Sequence, residues 1–131
     1  MIDYEVDIFN RVSQVVAPLC AENRFVSKPV DKATAFPTAS LYEMDNATVR
    51  ARQSSTPGEN FAVITYQLDI YAMSKADCRR VFSAADDVMI MMGFNRFSGI
   101  FIPSLDKTRI YRYTARYEAE IDQDGVIYQR R

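Results

Sequence analysis

The charged residues with the most regular spacing are three arginines near the C-terminal end, Arg109, Arg112 and Arg116. Arg112 and Arg116 are an even number of residues apart, so in a β-strand both side chains project from the same face. Glu118 and Glu120 continue that face. Two interpretations are open at this point. The arginines form salt bridges with acidic residues of a neighbouring strand, or they form a charged strip that faces a partner or a channel.

The other groups that could do chemistry do not form a catalytic set. The chain of 131 residues contains no histidine, so the commonest general base and the usual serine–histidine or cysteine–histidine pairs are absent. Asp86 and Asp87 would point about 100° apart on a helix, which predicts a solvated face. Cys20 and Cys78 form no disulfide framework and are interpreted as reduced packing residues. Since phosphate-binding glycine motifs and zinc-ligand spacings are also missing, we predict no enzyme, metal or cofactor.

Composition limits the partners that the chain can attract. Hydrophobic residues make up 48% and charged residues 25%, and 16 basic and 17 acidic residues leave a net charge of −1. This balance is typical of one globular domain over residues 1–131 and provides no global field for nucleic acid or an anionic membrane. A nucleic-acid-binding module would need a basic face with stacking aromatics, whereas Tyr111, Tyr113 and Tyr117 alternate on an apolar side.

Membrane insertion and export are not predicted either. No segment approaches the roughly 18 consecutive apolar residues of a membrane span. The first five residues are acidic where a signal peptide would be basic, so we expect synthesis in the cytoplasm.

Two long alternating segments provide the strands that would position the charges. Asn60–Met73 and Thr108–Ile121 both alternate apolar and polar residues. The apolar face of the first segment consists of Ala62, Ile64, Tyr66, Leu68, Ile70 and Ala72. Between the segments, Ser74 offers an N-cap to a helix over Lys75–Met92, which ends at Gly93.

The region after this helix predicts a loop and an edge strand. Gly93–Gly99 is interpreted as a turn and loop that exposes two aromatic side chains, Phe94 and Phe97. Ile100–Pro103 follows as a short edge strand that the proline ends. Asp122–Gly125 predicts a hairpin turn into Val126–Tyr128, and a turn explains its two aspartates better than a calcium site.

The N-terminal half begins with an amphipathic helix from Ile2 to about Cys20. Its predicted apolar stripe consists of Ile2, Val6, Phe9, Val12 or Val16, and Leu19. Pro18 removes a backbone donor, so the helix is expected to kink there or to stop just before it.

A projecting hairpin is predicted in the middle of the chain. After a short strand at Arg24–Val26, a second strand spans Thr38–Met44, turns at Asp45-Asn46 and pairs back through Ala47–Gln53. The hairpin is either simply solvated or an arm that reaches a neighbouring subunit, since its polar residues bury little core. Together the segments predict an α+β domain with a mainly antiparallel twisted sheet. An N-terminal helix and a second helix pack on one face, and the hairpin projects.

Three segments carry a resemblance to a known family: Tyr66–Lys75, Val88–Arg96 and Ile110–Ala119. They resemble the tail terminator, or tail completion, proteins of long-tailed bacteriophages over about residues 60–121, and the N-terminal helix fits the same layout. The resemblance implies a virion structural protein at the head–tail junction. Such proteins form a ring, commonly a hexamer, that ends tail tube polymerisation and presents the surface for neck attachment. The implied partners are further copies of the chain, the tail tube protein and the neck or head-closure protein.

Candidate contacts follow from this resemblance. The hairpin at 45–59 and the segment at 94–102 are expected to make subunit or tube contacts, with the arginines of the second alternating segment as a further candidate. The candidate residues are Arg50, Arg52, Gln53, Phe94, Arg96, Phe97, Arg112 and Arg116. The alternative within the same class is a neck or head-closure ring protein one ring nearer the head, which would bind the portal or adaptor instead of the tube.

Overall fold

A computed structural model describes residues 3–30, 35–48, 61–102, 110–122, 125 and 127–128. The helices are α1 (Glu5–Val16) and α2 (Lys75–Met92), and the strands are β1 (Phe25–Val26), β2 (Thr38–Thr48), β3 (Phe61–Ala72), β4 (Asn95–Ile102), β5 (Tyr111–Asp122) and β6 (Ile127–Tyr128). They form one sheet in the order β1-β2-β3-β5-β4, with β6 beside β5. Only β1 pairs in parallel, so the predicted α+β class with a mainly antiparallel sheet is confirmed.

Helix α1 ends just before Pro18, which is one of the two outcomes that the sequence predicted. It stops at Val16, and Pro18 lies inside the short 3₁₀ turn that follows. The predicted apolar stripe is wrong at Val6, which is 71% exposed, whereas the buried residues are Ile8, Val12 and Val16; Ile2 lies outside the described residues. Both stripes satisfy helical spacing, and the contact with the sheet chooses between them.

The predicted strand before α2 and the predicted ends of α2 are confirmed. All six apolar residues of the first alternating segment are buried along β3. Ser74 caps α2, and its hydroxyl oxygen accepts a hydrogen bond from the Asp77 backbone N–H at 3.1 Å. Gly93 ends the helix with a φ of 106°, a left-handed conformation that glycine adopts without steric cost. The helix therefore begins and ends where its capping residues indicated.

Removing the cap of α2 is expected to cost about 1 kcal/mol of unfolding free energy in the variant Ser74→Ala. The loss arises because the Asp77 N–H then has no acceptor in the first turn. Ser83→Ala is the matched control, since Ser83 is exposed in the middle of the same helix and alanine favours helix there. Urea unfolding followed by circular dichroism measures both, and equal stabilities would contradict the assigned cap.

The predicted turn at Asp45-Asn46 is wrong. Strand β2 continues through these residues, and a β-bulge between Glu43 and Asp45 absorbs the irregularity while β2 stays paired with β3. The bulge shifts the pairing register before Asp45 and Asn46, and the strand continues through both residues. The hairpin tip and the candidates Arg50, Arg52 and Gln53 lie outside the described residues.

The predicted loop after α2 is a strand. Strand β4 begins at Asn95 and pairs with β5 up to Ile102, with an irregularity between Arg96 and Ser98. Phe97 lies at this irregularity and is 49% exposed. Phe94 is only 3% exposed and packs edge-to-face on Tyr66, so its predicted exposure is wrong.

The edge position of β4 is as predicted, and Gly99 fits it closely to β5. A Cβ atom at Gly99 would lie 2.5 Å from the Tyr113 hydroxyl oxygen, so only a residue without a side chain leaves room for the Tyr113 ring over β4. The turn after β5 is also confirmed, since the Gly125 N–H donates to the Asp122 carbonyl before β6.

Both helices pack on one face of the sheet and share a single buried core with it. The opposite face, which we call the open face, has no helix on it within the described ranges.

Cys20 and Cys78 are buried and unpaired, and burial raises the pKa of each thiol to about 11. No helix in the described part of the chain has the length and apolar character needed to cross a membrane.

Candidate interface on the open face of the sheet

A hydrogen-bonded polar network lies at the centre of the open face. Its central group is Asp69 on β3, which is 2% exposed although no described helix covers it. The Asp69 carboxylate accepts hydrogen bonds from the Thr114 hydroxyl at 2.7 Å, the Tyr42 hydroxyl at 3.1 Å and the Gln67 amide at 3.0 Å. The Arg112 guanidinium adds a salt bridge at 3.2 Å. The surrounding side chains therefore both bury and neutralise this carboxylate.

Strand register brings the network together from three strands. Gln67 of β3 lies opposite Tyr42 of β2 on one side and Arg116 of β5 on the other. Asp69 lies opposite Thr114 in the same β3–β5 ladder. Because alternate residues share a face, these groups all project from the open face.

The two arginines of the predicted strip have different roles. Arg112 forms the salt bridge with a neighbouring strand that was one of the two predicted interpretations. Its guanidinium also lies 5.5 Å from the centre of the Tyr71 ring, within cation–π range. Arg116 is exposed and donates from Nε to the Gln67 amide oxygen at 3.3 Å. The two arginines therefore differ in their partners, because Arg112, whose side chain is 38% exposed, is paired with a carboxylate and Arg116 with an amide oxygen.

The electrostatics of this network favour recognition over catalysis. Burial, reinforced by the Asp69 charge, raises the pKa of Tyr42 to about 12, so its phenol stays protonated and keeps donating. Asp69 already accepts from four neighbouring side chains, which leaves it unsuited to act as a general base. The network itself holds two guanidinium groups and one carboxylate, and Glu118 and Glu120 place two further carboxylates along the same face of β5.

Arg96, another predicted contact residue, lies on the helix-covered side of β4. Its guanidinium forms a 3.2 Å salt bridge with Asp86 of α2 and lies 5.1 Å from the centre of the Phe82 ring. Asp86 also accepts a 2.6 Å hydrogen bond from the buried Tyr117 hydroxyl, whose pKa is raised by burial and by that bond. The predicted solvated face is therefore wrong for Asp86, because its helix position faces β5.

Sequence reasoning missed Asp69, Gln67 and Tyr42 as members of the site. A signal was present, because Gln67 and Asp69 stand two residues apart in the middle of a strand otherwise rich in β-branched and aromatic residues. Pairing them with the arginines required the order of the strands in the sheet, which local patterns do not give.

The described residues define an α+β fold, with α1 and α2 on one face of the sheet and a polar network on the open face. The protein is similar to a chain in a solved structure described as the virion of a native gene transfer agent particle. The two chains share 14% sequence identity with a TM-score of 0.57, over 90% of this chain and 93% of the other. No protein-family profile and no curated protein matches the sequence. At this identity the likeness is one of fold.

Proposed function

We propose that this chain is a structural protein of a phage-like virion, specifically a tail terminator. In this role it forms a ring, with six subunits expected, on the last ring of the tail tube. The ring ends tube polymerisation and presents the surface to which the neck of the filled head attaches. The observation that carries the proposal is the fold shared with a chain of a gene transfer agent virion over nearly the whole length of both chains.

The edges of the sheet support assembly with further copies. Strand β4 ends the sheet on one side, and β1 covers only Ala39 and Ser40 of β2 on the other. Unpaired strand edges favour association with another chain, and Phe97 and Ile100, which is 56% exposed, add apolar surface at the β4 edge. Head-to-tail contacts close such edges in a ring when the rotation between copies closes.

The tube and the neck are the partners proposed for the remaining surface. Strand β4, Arg96 and Arg116 are candidate subunit or tube contacts, and the hairpin residues Arg50, Arg52 and Gln53 stay a prediction. The neck or head-closure alternative belongs to the same structural class, and the shared fold supports both equally.

Light scattering on the purified protein, with negative-stain images taken with and without tail tubes, tests the proposal. Rings of about six copies that cap tube ends would support the terminator role. Binding to the portal or adaptor without binding to tubes would support the neck alternative. A monomer that ignores tubes and portal alike would contradict a structural role at the head–tail junction.

Reversing the exposed charge of the open face is expected to weaken tube capping. Arg116→Glu should reduce binding to tube ends about tenfold, because an interfacial like-charge contact costs at least about 1.4 kcal/mol. Arg11→Glu is the control, since Arg11 is an exposed arginine on α1, away from this face. Sedimentation with tubes measures both variants. Unchanged binding by Arg116→Glu would remove this face from the interface.

A further inference from the structure

The carboxylates of Asp3 and Glu5, near the start of α1, act electrostatically on the carboxylate of Glu43, which lies beside the bulge of β2. We call these three groups, together with the Tyr66 hydroxyl, the acidic corner. The Asp3 side chain accepts a hydrogen bond from the Glu5 backbone N–H at 3.2 Å, which orients this segment. Glu43 lies opposite Tyr66 in the β2–β3 ladder. The charged groups that act on Glu43 are all acidic, and with burial they raise its pKa to about 7.

The Tyr66 hydroxyl is an independent sign that this corner takes a ligand. Tyr66 is fully buried, and its hydroxyl has no hydrogen-bond partner in the described part of the chain. Burial and the charges of the same three carboxylates raise its pKa, so the phenol lies within their field. A buried polar group normally has a partner, and a cationic N–H donor would satisfy both the hydroxyl oxygen and the carboxylates.

A cleft of about 430 Å³ adjoins the acidic corner and shares Asp3 and Glu5 with it. Val6, Phe9 and Ser27 complete its lining. Acidic groups beside apolar walls suit a lysine or arginine side chain, whose apolar stem packs while its head is paired. No group of three or more carboxylates in the described ranges is arranged to hold a metal ion, so a basic side chain is the better fit.

A matching basic surface lies on α2 beside β4. The Lys75 ammonium and the Arg79 guanidinium lie 5.6 Å and 5.8 Å from the centre of the Phe101 ring. Both side chains are exposed, one helical turn apart, and neither is within salt-bridge distance of a carboxylate in the described segments. Stacking on one aromatic ring holds the two cations side by side. We call Lys75, Arg79 and Phe101 the basic end.

The acidic corner and the basic end lie at opposite ends of the sheet. The corner adjoins β2 and the basic end adjoins β4, with β3 and β5 between them. The two surfaces therefore cannot meet within one subunit. In copies arranged head to tail, as in a cyclic ring, each contact has one acidic corner on one side and one basic end on the other available to it.

We propose that the acidic corner of each subunit receives Lys75 and Arg79 of the next copy of the chain. This inference rests on the ring of the proposed function and names the charges that join its subunits. The charged and titratable groups that act on Glu43 are Asp3, which precedes α1, Glu5 of α1, Asp45 of β2 and the Tyr66 phenol, and the Asn46 side chain hydrogen-bonds it. Since pairing needs Glu43 ionised, subunit association should strengthen as the pH rises through neutrality.

A charge swap tests the contact. The variant Lys75→Glu/Arg79→Glu should weaken ring formation, in solution or on tube ends, by at least tenfold. The variant Glu5→Lys/Glu43→Lys should do the same. The variant that carries all four changes should form rings again, but should not mix with wild-type subunits, because like charges then meet. Arg80→Glu on the same helix is the control and should leave the rings intact.

Light scattering and negative-stain images with tail tubes read out each variant, and circular dichroism reports whether it folds. If the acidic-corner variant does not fold, the test rests on the variant Lys75→Glu/Arg79→Glu, whose changed residues are exposed. Glu43→Gln is then the milder variant of the acidic corner and should also weaken ring formation. If every folded variant forms rings as well as the wild-type protein does, the inference is overturned and the proposed function stands. Wild-type protein that neither forms rings nor caps tubes would overturn the proposed function itself.

Discussion

Asp69→Ala is expected to lower the free energy of unfolding by about 2–4 kcal/mol, because the buried donors around this carboxylate would lose their acceptor. The variant removes the acceptor shared by Tyr42, Gln67 and Thr114. It also leaves the Arg112 guanidinium without its carboxylate, although the Nε atom of Arg112 is already buried and unpartnered within the described residues. The cost is therefore that of unpaired buried polar groups, beyond the lost contacts themselves.

Urea denaturation followed by circular dichroism measures this loss, with Asp87→Ala as the control. Asp87 is exposed on α2, so its removal should change stability by no more than about 0.5 kcal/mol. Combining Asp69→Ala with Arg112→Met should cost less than the two single changes added together, because neither charge is then left alone. A loss below about 1 kcal/mol for Asp69→Ala would show that the carboxylate is not the centre of the network.

Glu43→Gln is expected to stabilise the isolated subunit by about 1–2 kcal/mol at pH 8 and to have little effect at pH 4. The folded structure raises the pKa of this carboxyl from 4.5 to about 7, chiefly through burial and then through the charges of Glu5 and Asp3. The stability that the protonated carboxyl contributes is thus complete below about pH 4.5 and is lost as the pH rises through about 7. The pKa difference sets a ceiling of about 3 kcal/mol, and solvent screening of a partly exposed group reduces it.

Thermal unfolding of wild type and Glu43→Gln at several pH values between about 4 and 8 checks this prediction. The two curves of stability against pH should separate as the pH rises, and Glu43→Gln should be the more stable protein at high pH. Asp87→Asn controls for the loss of one negative charge at an exposed position. Curves that run parallel over the whole range would mean that the corner does not raise the pKa of Glu43.

Local patterns in the sequence were sufficient for much of the fold. Ser74 and Gly93 delimit α2 because capping depends only on residues within one turn. The alternation of β3 is long enough to determine both of its faces. The buried face of α1 and the strand at Asn95 were mispredicted because both depend on partners distant in the chain, namely the sheet and β5.

The site was predicted only in part for the same reason. The shared face of Arg112 and Arg116 follows from their spacing alone. Their partners Asp69 and Gln67 lie more than forty residues earlier in the chain, and only the pairing of β3 with β5 brings them into contact. The acidic corner likewise joins the start of α1 to the middle of β2, so neither segment reveals it separately.

The order of the strands also bears on when a newly made chain becomes able to assemble. Strand β4 is synthesised before β5, yet β5 lies between β4 and the rest of the sheet. On the ribosome, β4 therefore has no strand to pair with until β5 has emerged and inserted beside β3. The β4 edge that we assign to subunit contacts cannot take shape before that moment. The strand order thus delays the proposed subunit contact until β5 has been added to the sheet.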